Sequence, residues 1–136
     1  MAEIEVFNPD TLHKPLGAYS HVAEVGEHGK LVVIAGQVAM DVDGNVVGVG
    51  DIEKQAAQVF ANLGNALEAA GGDWKNVIQF MSFVTRREDI TKLSAWRRRE
   101  LSAHYPDNAF PPSTLLVVSG LADEKLLLEV QVLAAI

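Results

Sequence analysis

One long stretch of the chain, residues 52–70, carries an apolar pattern that fits a single face of an α-helix. Its apolar residues recur at steps of three and four, as expected for 3.6 residues per turn. They are Ile52, Ala56, Val59, Phe60, Leu63, Ala66, Leu67 and Ala70. Asp51 precedes the pattern and is placed to accept hydrogen bonds from the first-turn amides. Gly71-Gly72 ends it, because glycine adopts the left-handed cap without strain. The sequence therefore predicts a helix of about five turns.

Short apolar runs on both sides of this helix predict six β-strands. The predicted strands are residues 4–7, 20–25, 31–38, 77–84, about 114–118 and about 126–133. The second and third runs are separated by a glycine-containing loop, which predicts an antiparallel hairpin. The apolar run over residues 31–35 does not alternate, which predicts a strand covered on both faces.

A second helix is predicted from about Asp89 to His104, and Pro106 ends it. Its inward-facing residues are predicted to be Ile90, Leu93, Leu101 and Tyr105. The order β-β-β-α-β-α-β-β predicts one α+β domain over residues 1–136, with both helices on one face of a six-stranded mixed sheet. The crossover helix makes the third and fourth strands parallel. The other sheet face stays open and apolar, which predicts an obligate oligomer.

Composition and motifs exclude several classes of protein. The chain of 136 residues has no cysteine, hence no disulfide and no thiolate metal site. Its first residues lack a signal-peptide pattern, and no apolar run approaches the roughly 18 residues of a membrane span, so we expect a soluble, cytoplasmic protein. The four histidines lack a ligand spacing, and no phosphate-binding loop, dinucleotide fingerprint or nucleophile elbow occurs. We therefore expect neither a metal nor a cofactor.

Charge argues against nucleic acid as a partner. The formal net charge is −7, whereas affinity for a phosphate backbone comes mostly from lysine and arginine. A local exception is the run Arg97-Arg98-Arg99, with Arg86-Arg87 upstream. We interpret it as a solvated helix face pairing with Glu88, Asp89 and Glu100. An RNA-binding stripe is the alternative.

Seven short motifs resemble those of one known family in their order and spacing. They are Pro15–His21, Ala35–Gln37, Gln55, Asn62-Leu63, Ala69–Gly71, Pro111–Thr114 and Glu129–Ala134. Through them, nearly the whole chain resembles the Rid family, also called YjgF-like or reactive-intermediate deaminase proteins. The resemblance implies a homotrimer around a central barrel-like sheet. It also implies three equivalent clefts between neighbouring subunits, each binding a small molecule.

The resemblance implies a site chemistry as well. In the family's deaminases, a cleft arginine clamps the carboxylate of a 2-imino or 2-enamino acid. A carboxylate on the last strand positions water for hydrolysis to a keto acid and ammonia, and Glu129 matches it. Tyr19 matches the cleft tyrosine, and Ala35 replaces the family's usual serine. The implied substrate-binding residues are Tyr19, Ala35, Gln37, Ser113, Thr114 and Leu115.

Gln131 joins this set because alternate strand residues share a face, which places it beside Glu129. Structural explanations stay open for the same residues. Glu129 would then form an interface salt bridge or face water, and Tyr19 would be a core tyrosine. Ser113 and Thr114 would simply bond to backbone at the strand entry.

The main departure from the family is Ser113, which stands at the position of the clamping arginine. Arginine binds a carboxylate with two parallel donors and a permanent charge. A hydroxyl supplies one neutral hydrogen bond, about 1 kcal/mol net against about 1.5–3 for a charged one. We therefore expect weak 2-imino acid deamination, unless another cation acts; Arg86 and Arg87 are the nearest candidates.

Three functions follow from the sequence. The first is a hydrolase of the deaminase type that acts on a small reactive metabolite resembling an imine or enamine. The second is a non-catalytic protein that binds a metabolite at the same clefts. A ribonuclease is the least favoured, because the chain is acidic.

Overall fold

A computed structural model describes residues 2–136 of the chain. Its elements are β1 (Ile4–Phe7), β2 (Val22–Val25), β3 (Leu31–Val38), α1 (Ile52–Ala69), β4 (Val77–Val84), α2 (Ile90–Leu101), β5 (Ser113–Val117) and β6 (Leu128–Ala135). The order of elements is the predicted one. β1, β3 and β4 have the predicted bounds, whereas the remaining elements differ by a few residues at their ends.

The strands form two sheets rather than the predicted single one. β1 pairs with β2 in a two-stranded antiparallel sheet, and the other four strands have the order β3-β6-β4-β5. The predicted hairpin between β2 and β3 is therefore wrong. β3 instead pairs antiparallel with β6, from Leu31 opposite Ala135 to Val38 opposite Glu129, with a shift of register between Ile34 and Gln37. β6 is the better partner because it has eight residues, whereas β2 has only four.

The prediction that β3 and β4 run parallel is confirmed. β3 and β4 are both antiparallel to β6, so they run parallel to each other with β6 between them. β5 pairs parallel with β4 from Phe80 opposite Ser113 to Val84 opposite Val117. Because β5 is the last strand of its sheet, its other side is a free edge.

Helix α1 confirms the local signals at both of its ends. The Asp51 carboxylate accepts hydrogen bonds from the backbone amides of Glu53 and Lys54, each at 3.1 Å. Beyond the helix, Gly71 has a φ of +90°, a conformation that favours glycine. The cap and the glycine stop therefore fix where the helix begins and ends.

Both helices pack on one face of the four-stranded sheet. Phe80 and Val132 of the sheet are buried there against Phe60 and Leu63 of α1 and Trp96 of α2. These side chains belong to one continuous core, which holds α2 against the β4 and β5 side of the sheet.

The opposite sheet face carries exposed apolar side chains. On β3, Val33 is 73% exposed and Leu31 is 58% exposed, so β3 is not covered on both faces within one chain. That prediction is wrong for the single chain because both helices lie on the same side. Between residues 2 and 136, no helix combines the length and the apolar character needed to cross a membrane.

Candidate functional site

A cavity of about 470 Å³ lies beside the free edge of β5. Residues 16–19 and 21 form one wall, Ile90, Ser94 and Arg97 form another, and residues 113–115 form the third. The structure thus brings together four residues that the sequence suggested for substrate binding: Tyr19, Ser113, Thr114 and Leu115.

Hydrogen bonds hold the wall that carries Tyr19. The Tyr19 hydroxyl accepts a hydrogen bond from the backbone amide of Leu16 at 3.1 Å. Its ring meets that of His21 edge-on, with centres 5.6 Å apart. His21 donates from Nε2 to the carbonyl of His13 at 2.6 Å and from its backbone amide to Asn8 at 2.8 Å. The wall is therefore built largely from its own local contacts.

Arg97 is the cation of this cavity. Its side chain is buried, with the residue 7% exposed, and Nη1 donates to the Ser113 hydroxyl at 3.1 Å. The guanidinium carbon lies 4.9 Å from the centre of the Phe80 ring and 5.8 Å from that of Phe60. Nε is buried without a hydrogen-bond partner. Within residues 2–136, no carboxylate forms an ion pair with Arg97.

Burial governs the electrostatics of Arg97. Removal from water lowers the pKa of Arg97 from 12.5 to about 10, and the nearby Tyr105 partly opposes that change. Burial also raises the pKa of Tyr105, whose hydroxyl donates to the carbonyl of Trp74 at 2.8 Å. Arg97 therefore keeps its charge at neutral pH, and Tyr105 stays neutral.

The predicted solvated helix face is wrong for Arg97, and so is the alternative of an RNA-binding stripe that includes it. Arg98 and Arg99 are exposed, and Arg99 pairs with Glu100 at 3.1 Å and Glu53 at 3.5 Å. A buried guanidinium cannot lie on the same solvent-facing stripe. The prediction of an exposed helix face with ion pairs is therefore correct for Arg98 in exposure and for Arg99 in exposure and pairing, but not for Arg97.

The sequence did contain a signal for the burial of Arg97. Leu93 and Leu101 were predicted to face inward, and residue 97 lies four positions from each. Positions i and i+4 share a helix face, so Arg97 falls on the buried side of α2. The four-residue spacing was overlooked because Arg97 begins a run of three arginines. Ser94, His21 and Ile90 also line the cavity without having been predicted as site residues.

The two arginines proposed as substitutes for the missing clamp lie elsewhere. Arg86 donates from Nε and Nη2 to the two carboxylate oxygens of Asp89, at 2.8 and 3.0 Å. Neither Arg86 nor Arg87 lines the cavity. The cation beside Ser113 is Arg97.

The remaining predicted residues lie on strands β3 and β6, outside this cavity. Ala35 and Gln37 are on β3, and Glu129 and Gln131 are on β6. The Gln37 side-chain amide donates to the carbonyl of Ala35 at 3.2 Å. Their roles in binding and catalysis stay predictions.

Glu129 and Ser113 face opposite sides of the sheet. On β4, Phe83 pairs with Glu129 and Phe80 pairs with Ser113. Residues three apart on a strand point to opposite faces. Since Phe80 is buried under the helices, Glu129 lies on the open face. One chain alone therefore does not direct both side chains into one pocket.

The carboxylate of Glu129 lies directly against Gly36. A Cβ atom at residue 36 would collide with this carboxylate. The requirement for glycine in the Ala35–Gln37 motif is thus a close approach by the side chain of Glu129.

Comparisons with known proteins agree with this fold and these motifs. The family model described as endoribonuclease L-PSP matches residues 11–136. A RutC family protein of Pyrococcus horikoshii is 30% identical over 130 residues, which cover 96% of each chain. The 2-iminobutanoate/2-iminopropanoate deaminase of Homo sapiens is 26% identical over 94 residues, covering 69% of this chain and 66% of that protein. A Rid family protein of unknown function from Yersinia pestis has a TM-score of 0.83 at 28% identity, covering 98% of both chains. The chain belongs to the Rid family.

Proposed function

We propose that the protein is a small-molecule hydrolase of the deaminase type that acts on a small imine- or enamine-like metabolite. The observation that carries this proposal is the cavity at the β5 edge, where Tyr19, Ser113, Thr114 and Leu115 converge around a buried cation. The human relative named as a 2-iminobutanoate/2-iminopropanoate deaminase supports the reaction type. The reaction adds water to a carbon–nitrogen double bond and needs no cofactor.

In the proposed mechanism, the ring and hydroxyl of Tyr19 hold the substrate beside Ser113. The Glu129 carboxylate accepts a proton from water while the water oxygen attacks the imine carbon. Glu129 returns this proton to the nitrogen, which gives a tetrahedral adduct with one hydroxyl and one amino group. The hydroxyl proton then passes through Glu129 to the nitrogen while the carbon–nitrogen bond breaks, so ammonia leaves and the carbonyl forms. Atoms balance: one imine and one water give one carbonyl compound and one ammonia.

This mechanism needs more than one copy of the chain. Glu129 lies on the open sheet face, whereas Ser113 faces the helices. A homotrimer with clefts between subunits would place Glu129 of one copy at the β5 edge of the next. The exposed apolar side chains of β3 support an association through the open face.

Ammonia release from freshly generated iminopropionate tests the reaction. We expect the wild-type protein to accelerate release over buffer, and Glu129→Gln to lower the rate about 100-fold, the usual contribution of a general base. Glu124→Gln is the matched control, because Glu124 is an exposed acid outside the cavity. Full activity of Glu129→Gln, or no acceleration by the wild type, would contradict the proposal.

A mixing experiment tests the shared cleft. Chains carrying Glu129→Gln and chains carrying Tyr19→Ala are co-expressed, so that some interfaces combine an intact Glu129 with an intact Tyr19. We expect activity above that of either variant alone. If both residues act within one chain, mixing restores nothing.

A non-catalytic metabolite-binding protein is the second candidate. It is favoured by the position of Glu129, since none of the three walls of the cavity contains this residue. This candidate predicts unchanged ligand affinity and no turnover by either the wild type or Glu129→Gln.

A further inference from the structure

We propose that Arg97, held by Ser113, is the anion anchor of the cavity at the β5 edge and that its ligand is a small organic monocarboxylate. The anchoring cation then comes from helix α2 and not from strand β5. The serine at position 113 becomes the support of the anchor.

The first argument is the unsatisfied state of Arg97. A guanidinium carries five N–H donors, yet the hydrogen bond to Ser113 is the only one that the Arg97 side chain makes within residues 2–136. Its Nε is buried and unpaired. Arg86 shows the opposite case, because both oxygens of Asp89 neutralise it. A buried arginine kept only for structure is expected to have such a partner.

The second argument is orientation. The Phe80 ring lies 4.9 Å from the guanidinium carbon, a distance at which the ring covers the cation through a cation–π contact. The hydrogen bond to Ser113 fixes Nη1 at 3.1 Å from β5. Arg97 also lines the cavity. An anion entering there meets a cation whose position is already set, so little ordering is needed on binding.

The third argument concerns the class of anion. Arg97 is the only arginine or lysine among the described residues that line the cavity. One guanidinium matches one carboxylate in charge and in planar geometry, whereas a phosphate dianion would keep an uncompensated charge. Ile90 and Leu115 add apolar walls, and Ser94 and Thr114 add hydroxyls. This lining suits a carboxylate with a short, partly apolar body.

The inference rests on the proposed function only in taking this cavity as the ligand site. Binding and turnover can therefore fail separately. Loss of turnover in Glu129→Gln with intact carboxylate binding would leave the anchor standing. Turnover of iminopropionate that is as fast in Arg97→Met as in the wild type would support the hydrolase and contradict the anchor.

Isothermal titration of the full-length protein tests the anchor with pyruvate and 2-oxobutanoate, which are stable keto acids. Pyruvamide serves as the neutral analogue and inorganic phosphate as the competing anion. We expect saturable binding of the keto acids and no comparable binding of pyruvamide or phosphate. Arg97→Met should weaken keto-acid binding on the order of 10- to 100-fold, the value of a charged hydrogen bond. Arg98→Met, which removes an exposed arginine from the same helix, should leave the affinity unchanged.

A second variant tests the anchor by recovery of affinity, in case Arg97→Met changes the fold. The double variant Arg97→Met/Ser113→Arg returns the guanidinium to the strand, and it should regain at least part of the lost affinity. Circular dichroism checks that each variant is folded. Keto-acid affinity unchanged in a folded Arg97→Met protein would overturn the proposal. So would a wild-type protein that binds pyruvamide as tightly as pyruvate, or phosphate more tightly than both keto acids.

Discussion

The two helices each bury one polar side chain against the same sheet, and the two side chains are treated differently. Gln55 of α1 is fully buried, and its amide nitrogen donates to the carbonyls of Gly48 at 3.2 Å and Lys125 at 2.9 Å. Its amide oxygen accepts from the backbone amide of Leu127 at 2.8 Å. Arg97 of α2 is also buried, but its side chain makes one hydrogen bond within residues 2–136 and keeps a full charge.

The Gln55 side chain therefore stabilises the fold, whereas the Arg97 side chain does not. Gln55 is neutral and satisfied, so it ties α1 to the entry of β6 at no electrostatic cost. Arg97 carries a desolvated charge, and no acidic side chain in the described part of the chain pairs with it. A fold that retains such a group gains nothing from it in stability, which points to a use in binding.

Replacing Gln55 should give the largest loss of stability. Gln55→Leu leaves one buried amide and two carbonyls without their partner, because Leu127, Gly48 and Lys125 lose this contact together. We expect the free energy of unfolding to fall by about 2–4 kcal/mol in urea titrations. Gln58→Leu is the control, since Gln58 bonds only to the side chain of Asn62, and it should cost less than about 1 kcal/mol. Equal losses of unfolding free energy in the two variants would show that the three hydrogen bonds of Gln55 do not account for its contribution to stability.

Features that depend on neighbouring residues could be predicted from the sequence, whereas contacts between distant residues could not. The bounds of β3 and β4 and the cap at Asp51 follow from local patterns, and all are confirmed. The pairing of β3 with β6 joins residues about one hundred positions apart, so no local pattern specifies it. Tyr19 and Ser113 were found through motifs. Arg97 was missed because the run of three arginines was interpreted as a solvated face, although Arg97 lies four residues from both Leu93 and Leu101.

Replacing Arg97 should raise the free energy of unfolding, whereas replacing Gln55 should lower it. Arg97→Met removes a buried charge and keeps much of the volume and the apolar contact with Phe80. We expect the unfolding free energy to rise by about 1 kcal/mol, because the desolvation cost exceeds the hydrogen bond to Ser113. Thermal unfolding of both proteins in ligand-free buffer measures it. A loss of more than about 2 kcal/mol would make Arg97 a structural residue like Gln55.

The stability gain of Arg97→Met should shrink at alkaline pH, and this is the smallest effect that we predict. The pKa of Arg97 is about 10 in the folded chain against an ordinary 12.5, and removal from water is the cause. Below pH 10 both states are protonated, so the folded state carries the full cost of the charge. Between pH 10 and 12.5 the unfolded state binds more protons, so the wild type gains stability relative to the variant as pH rises.

Tyr105 adds a pH dependence of its own, because burial raises the pKa of its phenol and the unfolded chain loses that proton first. Both proteins contain Tyr105, so this contribution cancels in the difference between them. Urea titrations at pH 9 and pH 10.5 should show the difference between wild type and Arg97→Met narrowing by roughly 0.5–1 kcal/mol. The variant Arg98→Met provides the matched comparison, since it replaces an exposed arginine and keeps Arg97 in place, so its difference from wild type should stay constant. A constant difference for Arg97→Met as well would mean that its guanidinium is not desolvated, and the contrast between the two helices would then disappear.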